Sequence, residues 1–74
     1  MERTSLTTKF GQAVRQLRLD RGMSQEDFAD ECSLHRTYIG AIERGEKTVT
    51  IETARKVADA LNLPLWKLLK RAEE

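Results

Sequence analysis

The stretch "SQEDFADECSLHRTYIGAIERG", residues 24–45, carries the signals of two short helices joined by a tight turn. Ser24 is a typical N-cap residue, and the acidic residues behind it suit a first helical turn, which predicts a helix over 25–32. A second candidate cap, His35, follows almost at once and predicts another helix over 36–44, which ends at a glycine. Two short helices with so short a connection form a helix-turn-helix unit.

The short connection decides how the second of these helices is presented. It forces the two helices to cross at a steep angle and pushes the N-terminal end of the second helix outward. The free backbone N–H groups of that end, together with the helix dipole, then face away from the core and toward any anion. This geometry favours a helix that enters the major groove of DNA.

The outward side of the second helix has an unusual composition for an exposed surface. Gly40 and Ala41 stand where a surface helix usually carries Glu or Lys. Such small residues let a backbone approach DNA closely, although close packing on another helix explains Gly40 equally well. Arg36 can bond guanine O6 and N7, and Thr37 can contact a thymine methyl group. We therefore expect both to contact bases; a solvated charge and a hydroxyl bonded within the first turn remain the alternatives.

Further polar residues around the two helices are expected to hold the DNA. Lys47 follows the second helix and is a candidate for a base contact at a groove edge. His35 fits a helix cap beside a phosphate better than a catalytic base. The expected contacts to the DNA backbone are made by Gln25, His35, Tyr38, Arg44 and Thr48.

Helix signals also fill the rest of the chain, so the predicted fold class is all-α, with five helices in one domain over 1–74. The other three predicted helices cover 7–21, 51–61 and 64–72. The expected buried stripe of the fourth helix is Ile51, Ala54, Val57, Ala58 and Leu61. Pro64 is expected at the first position of the last helix. The segment "TVTIET", residues 48–53, is a weak strand candidate.

The last helix, about 64–72, has more apolar residues than one buried stripe accommodates. We expect Trp66 to lie largely outside and to form a two-fold dimer interface with Leu65 and Leu69. Two alternatives remain open. Trp66 covers the edge of its own domain, or the interface lies on the N-terminal segment around Leu6.

Composition excludes several classes of protein. Thirteen Lys and Arg oppose twelve Asp and Glu, so a binding face for DNA has to come from local segregation of charge. The single cysteine excludes an internal disulfide and favours the cytoplasm. No apolar run approaches the roughly 20 residues of a membrane span. Zinc-ligand spacing and a Gly-rich phosphate loop are both missing, so we expect no catalytic site, no metal and no cofactor.

The motifs "SQEDFA", "YI..IERG" and "T...ARKVADALN" lie within residues 23–69. They resemble the helix-turn-helix family of the lambda-type and Cro-type phage repressors. Within that family, "LHRTYI..IERGE" is similar to the controller proteins of restriction–modification systems. The resemblance implies a five-helix lambda-repressor-like domain, a homodimer and a palindromic operator. By position, Arg36 and Thr37 match the base-reading start of the recognition helix. Ser33 departs from the pattern, because it replaces a common turn glycine and is expected in a left-handed conformation.

Other functions remain open beside this one. A phage-type or antitoxin-type repressor would share most of these residues. A protein-binding module that kept the fold would use the acidic face of the first of the two helices, and an activator would present the same face to RNA polymerase. That acidic face consists of Glu26, Asp27, Asp30 and Glu31.

Overall fold

The computed structural model describes residues 5–74, so the first four residues of the predicted domain 1–74 lie outside the described part. Its five helices are α1 (Leu6–Asp20), α2 (Gln25–Cys32), α3 (Arg36–Glu43), α4 (Ile51–Ala60) and α5 (Leu65–Glu73). The predicted all-α class and the order of helices are therefore confirmed. The weak strand prediction over 48–53 is wrong, since this segment is irregular up to Thr50 and helical from Ile51 onward.

The predicted caps begin the helices as expected. The hydroxyl of Ser24 accepts a hydrogen bond from the backbone N–H of Asp27 at 3.0 Å. Thr50 caps α4 in the same way through the N–H of Thr53. Pro64 corrects the prediction by one position. It is the N-cap of α5, with an extended ψ of 149°, because its carbonyl accepts the first helical hydrogen bonds while its own backbone is not yet helical.

The turn between α2 and α3 is as tight as predicted. Ser33 adopts a left-handed conformation with φ of 57°. Its N–H donates to the carbonyl of Asp30, and the N–H of Leu34 donates to that of Ala29 at 2.9 Å. This pair of hydrogen bonds is the Schellman motif, which satisfies the last carbonyls of a helix and turns the chain sharply. Asn62, with φ of 62°, ends α4 in the same manner.

The core contains residues from all five helices. Four members of the predicted α4 stripe are buried, but Ile51 is 77% exposed, so its prediction as a core residue is wrong. Ile51 is the first residue of α4, and the first turn of that helix extends past the edge of the core. The core residues are Phe10, Ala13, Val14, Leu17, Phe28, Ala29, Cys32, Ile39, Ile42, Ala54, Val57, Ala58, Leu61, Leu68 and Ala72.

Helices α1 and α3 approach each other closely at Gly11. A Cβ atom at this position would overlap the carbonyl oxygen of Ile42 and lie 3.1 Å from the carbonyl group of Glu43. Only a residue without a side chain fits there, because the obstacle is backbone and cannot move aside. The backbone of α1 therefore fixes the position of the C-terminal end of α3.

Candidate nucleic-acid interface

The N-terminal end of α3 is exposed and capped by a side chain. Nδ1 of His35 accepts a hydrogen bond from the backbone N–H of Thr37 at 3.1 Å, which confirms the cap. Arg36 and Thr37 are both exposed. Nη1 of Arg36 lies 3.1 Å from Oε2 of Glu26 on α2, and both side chains are 67% exposed. The predicted base-reading arginine is thus paired with a carboxylate across the turn, at a site that is largely exposed to water.

The middle of α3 differs from the prediction. Gly40 is buried rather than exposed, and Ala41 is half-buried. The atoms nearest to a Cβ on Gly40 would be Nη1 of Arg44 at 3.1 Å and Oε1 of Gln25 at 3.6 Å. Close packing against another helix backbone therefore does not explain this glycine. Its missing side chain leaves room in which the ends of Arg44 and Gln25 lie across the helix.

The C-terminal side of the unit gathers two more of the predicted residues. Nζ of Lys47 lies 5.9 Å from the centre of the half-buried Tyr38 ring, a cation–π distance. Nε of Arg44 lies 3.0 Å from Oε2 of Glu46. This hydrogen bond raises the pKa of Arg44 and lowers the pKa of Glu46, so both remain charged near neutral pH.

A buried ion pair anchors the end of α3 to α1. Nε of Arg18 lies 2.7 Å from Oε2 of Glu43, and Nη2 of Arg18 donates to Oε1 at 3.0 Å. The remaining Nη1 group donates to the carbonyl of Met23 at 2.8 Å. Oε1 of Glu43 also accepts a hydrogen bond from Nε2 of Gln25 at 3.1 Å. The bidentate geometry satisfies both charges away from water.

Arg18 and Glu43 were absent from the sequence-based predictions, although a local signal exists. Arg18 follows the core residue Val14 by one helical turn, and Glu43 follows the core residue Ile39 by the same spacing. A charge at a core-facing position is rarely buried unless it is paired. Two opposite charges at such positions on two helices indicate a buried ion pair.

The structure connects several of the predicted DNA contacts. Gln25 and Arg44 both lie over Gly40, Arg36 reaches α2 through Glu26, and Lys47 reaches α3 through Tyr38. Thr48 makes no such link. It is exposed and, like Lys47, lines a groove on the side of α1, α4 and α5, and no hydrogen bond of its side chain to the residues above is found within residues 5–74.

That groove is open, mainly apolar and about 200 Å³ in volume. Beside it Trp66 is 62% exposed, whereas Leu65 and Leu69 are half-buried, as the apolar pattern of α5 predicted. The two predicted locations of a dimer interface, the α5 residues and the segment around Leu6, share this one groove. Its apolar lining consists of Leu6, Phe10, Val49, Ile51, Ala54, Leu65 and Leu69.

The remaining candidate groups offer no reactive site. Cys32 is buried in the core, and this burial, together with the charge of Glu31, raises the pKa of its thiol to about 11. Within residues 5–74, His, Cys, Asp and Glu side chains do not gather in threes as a metal site would need. None of the helices in this described part is long and apolar enough to cross a membrane.

Comparison with known proteins gives consistent matches. The family described as "Helix-turn-helix" matches residues 14–65. Control protein C.BamHI of Bacillus amyloliquefaciens is 53% identical over 55 residues, which cover 73% of this chain and 68% of that protein.

Two solved structures are similar to this chain in three dimensions as well as in sequence. The restriction-modification controller protein C.AhdI from Aeromonas hydrophila has 40% identity and a TM-score of 0.81, with 84% of this chain and 94% of that chain covered. The structure of C.Esp1396I bound to a 25 base pair operator site has 30% identity and a TM-score of 0.82, with 96% of this chain and 97% of that chain covered.

Proposed function

This chain belongs to the helix-turn-helix family and to its restriction–modification controller proteins, and we propose that it binds a palindromic operator as a dimer to regulate the genes of such a system. The observation that carries the proposal is the exposed start of α3, where Arg36 and Thr37 face water beside the His35 cap. A recognition helix presents this end to base edges. The operator-bound relative covers nearly the whole chain, which supports the same use of the fold here.

We assign sequence reading to Arg36, Thr37 and Lys47. To reach guanine, Arg36 has to leave Glu26. The exchange costs little, because an exposed ion pair contributes only about 0–1 kcal/mol. Thr37 offers its methyl group to thymine from the first turn of α3. The ammonium group of Lys47 lies at a cation–π distance from the Tyr38 ring. After release from this ring, Lys47 reaches a base at the edge of a DNA groove.

The phosphate contacts are assigned to residues that surround this reading end. Gln25 and Arg44 already lie together over Gly40, and His35 stands at the helix N-terminus, where anions are favoured. Tyr38 is half-buried and offers its hydroxyl to a phosphate, and the exposed Thr48 lines the apolar groove. Such contacts fix the protein on the duplex without reading the sequence.

Salt dependence tests this assignment. The affinity for a duplex should fall linearly with salt on a double logarithmic plot, with a slope of several units for a dimer. Filter binding with random duplex DNA measures it, and Arg44→Ala should reduce the slope. Arg55→Ala on α4 is the matched control, because Arg55 is also exposed and paired with a carboxylate but lies outside the proposed site. A slope near zero in the wild type rules out DNA binding and leaves a protein-binding module.

We further propose that the apolar groove and the Trp66 ring beside it form the dimer interface, with Leu65, Leu69 and Ile51 contributed by the groove and Trp66 by the adjacent surface of α5. A monomer would expose Trp66 and Ile51 to water at 62% and 77%. A two-fold contact buries the same patch on both subunits and places two recognition helices about one DNA turn, 34 Å, apart.

Trp66→Glu tests the interface. The variant should sediment as a monomer at micromolar concentration, lose thermal stability and bind an operator much more weakly. Leu19→Glu is the matched control, since Leu19 is also an exposed apolar residue but lies on α1, outside the residues of the proposed interface. If Trp66→Glu remains a dimer and Leu6→Glu does not, the interface is centred on the N-terminal segment.

A contact with RNA polymerase is a finer part of the proposal and uses the exposed acidic residues of α2. Asp27, Asp30 and Glu31 make no ion pair in the described part of the chain, so their charges are available to a basic partner. Asp30→Ala should lower activated transcription in a purified system while operator binding is retained. Unchanged activation would exclude this residue from the contact.

Such a regulator would act in the cytoplasm, where its DNA and the polymerase are found.

A further inference from the structure

The buried ion pair between Arg18 and Glu43 has a third partner on the proposed DNA-facing side. The Arg18 and Glu43 side chains are only 7% and 1% exposed. Gln25 is exposed at the first position of α2, yet its Nε2 group donates to the buried Oε1 atom of Glu43. One hydrogen bond thus joins a charge pair in the interior to an amide on the surface.

This contact determines which way the Gln25 amide faces. A carboxylate only accepts hydrogen bonds, so the amide nitrogen must point to Glu43 and the amide oxygen must point away from it. The oxygen accordingly lies over Gly40, on the same side as the Arg44 guanidinium, which favours it electrostatically. The reverse orientation would place the amide oxygen against the carboxylate. One N–H bond of the nitrogen is then used by Glu43, and the second has no acceptor within residues 5–74.

We propose that Arg18 and Glu43 are positioning residues for DNA binding, which hold Gln25 with its second N–H directed to a DNA phosphate. This inference rests on the proposed function. A free glutamine on a helix surface samples many rotamers and loses that freedom when it binds, whereas a held side chain has lost it beforehand. Arg18 serves the same purpose indirectly, because its two hydrogen bonds fix the carboxylate that holds the amide.

The energetics of buried charges agree with a role beyond stability. A buried ion pair is weak evidence for stability, since well-packed apolar residues often replace it at no cost. Here both carboxylate oxygens are satisfied by Arg18 alone, so the third hydrogen bond from Gln25 is not needed to neutralise the pair. This third hydrogen bond therefore acts on Gln25, whose side chain is ordered by an Arg18–Glu43 pair that is held in place without it.

A double-mutant cycle tests the proposal with random-sequence duplex DNA at low salt as the probe. Gln25→Ala and the joint replacement of Arg18→Met with Glu43→Leu, which removes the acceptor of the Gln25 amide and leaves no buried charge unpaired, should each weaken binding about three- to tenfold, the loss of roughly one hydrogen bond. Combined, they should weaken binding no more than either alone, because both remove the same contact. Arg21→Met is the control. It removes a hydrogen bond to the Leu61 carbonyl and lowers stability, but its effect should add to that of Gln25→Ala.

A second measurement needs no variant. In the free wild-type protein, the side-chain amide of Gln25 should show an NMR heteronuclear NOE as high as that of the backbone. The amide of Gln12 is the mobile reference in the same spectrum, because Gln12 is exposed and its side chain has no hydrogen bond within residues 5–74. A mobile Gln25 amide overturns the proposal. Additive effects of the substitutions in the double-mutant cycle overturn the positioning role too. In that case the proposed function still stands, provided that the wild-type protein binds the duplex. If the wild type itself does not bind the duplex, the proposed function and the positioning role fall together.

Discussion

The two ends of α3 each carry an Arg–Glu ion pair to a neighbouring helix, and the two pairs differ in almost every physical respect. At the N-terminal end, Arg36 and Glu26 are 67% exposed and share a single contact of 3.1 Å. At the C-terminal end, Glu43 and Arg18 are nearly inaccessible, and their shortest contact is 2.7 Å. The same chemistry therefore gives one end that can exchange partners with water or DNA and one end that cannot.

The free energies explain this division. An exposed pair contributes about 0–1 kcal/mol, because water screens the charges and two flexible side chains must be ordered. Removal of one partner from a buried pair leaves a charge without compensation and costs about 3–5 kcal/mol. The helix is thus fixed at its C-terminal end, where its ion pair is buried, and adaptable at its N-terminal end, where we propose that it contacts DNA.

The largest expected effect comes from breaking the buried end. Arg18→Met should lower the free energy of unfolding by about 3–5 kcal/mol, because the Glu43 carboxylate stays buried without its cation. Urea denaturation followed by circular dichroism measures this loss. Arg15→Met on the exposed side of α1 is the control and should change stability by less than about 0.5 kcal/mol. A loss below 1 kcal/mol for Arg18→Met would mean that water reaches the carboxylate.

Breaking the exposed end should instead change DNA recognition. We expect Arg36→Ala to lose about 1–3 kcal/mol of discrimination at one base pair, with stability nearly unchanged. Affinities for a panel of single-base operator variants measure it. Glu26→Gln is the matched control, since it removes the same ion pair but keeps the reader and should preserve the order of preferences. Unchanged preferences in Arg36→Ala would assign base reading to another residue.

The smallest effect sharpens the comparison at the turn that leads into α3. Ser33→Gly should raise the free energy of unfolding by about 0.5–1 kcal/mol, because a left-handed backbone is costly for serine and easy for glycine. Thermal or urea unfolding checks the gain. Asn62→Gly should give a smaller one, since asparagine tolerates the same conformation. Equal gains at both positions would show that the turn before α3 carries no special strain.

Features that depend on neighbouring residues could be predicted from the sequence. Ser24, His35 and Thr50 cap helices as expected, and Ser33 has the predicted left-handed backbone, since each depends on a few hydrogen bonds near it in the chain. The fold class followed from these local signals and from apolar spacing.

Features that depend on distant residues were missed. Arg18 and Glu43 are 25 positions apart in the chain, and only the packing of α1 on α3 makes them partners. Ile51 fits the periodic stripe of α4, but periodicity does not tell where the core ends. Gly40 was expected to be exposed, but the side chains of Arg44 and Gln25 lie over it. Their conformations cannot be deduced from the spacing of residues alone.

The close approach at Gly11 bears on how such a protein acquires a new operator. Main-chain atoms of α1 meet the carbonyl groups of Ile42 and Glu43 directly, so the tilt of α3 does not depend on the side chains that are proposed to read DNA. On this proposal, exchanges at Arg36 or Thr37 change the recognised bases without reorienting the helix. DNA specificity can thereby evolve without changes to the rest of the fold, on condition that Gly11, which lies outside the helix-turn-helix unit, stays glycine.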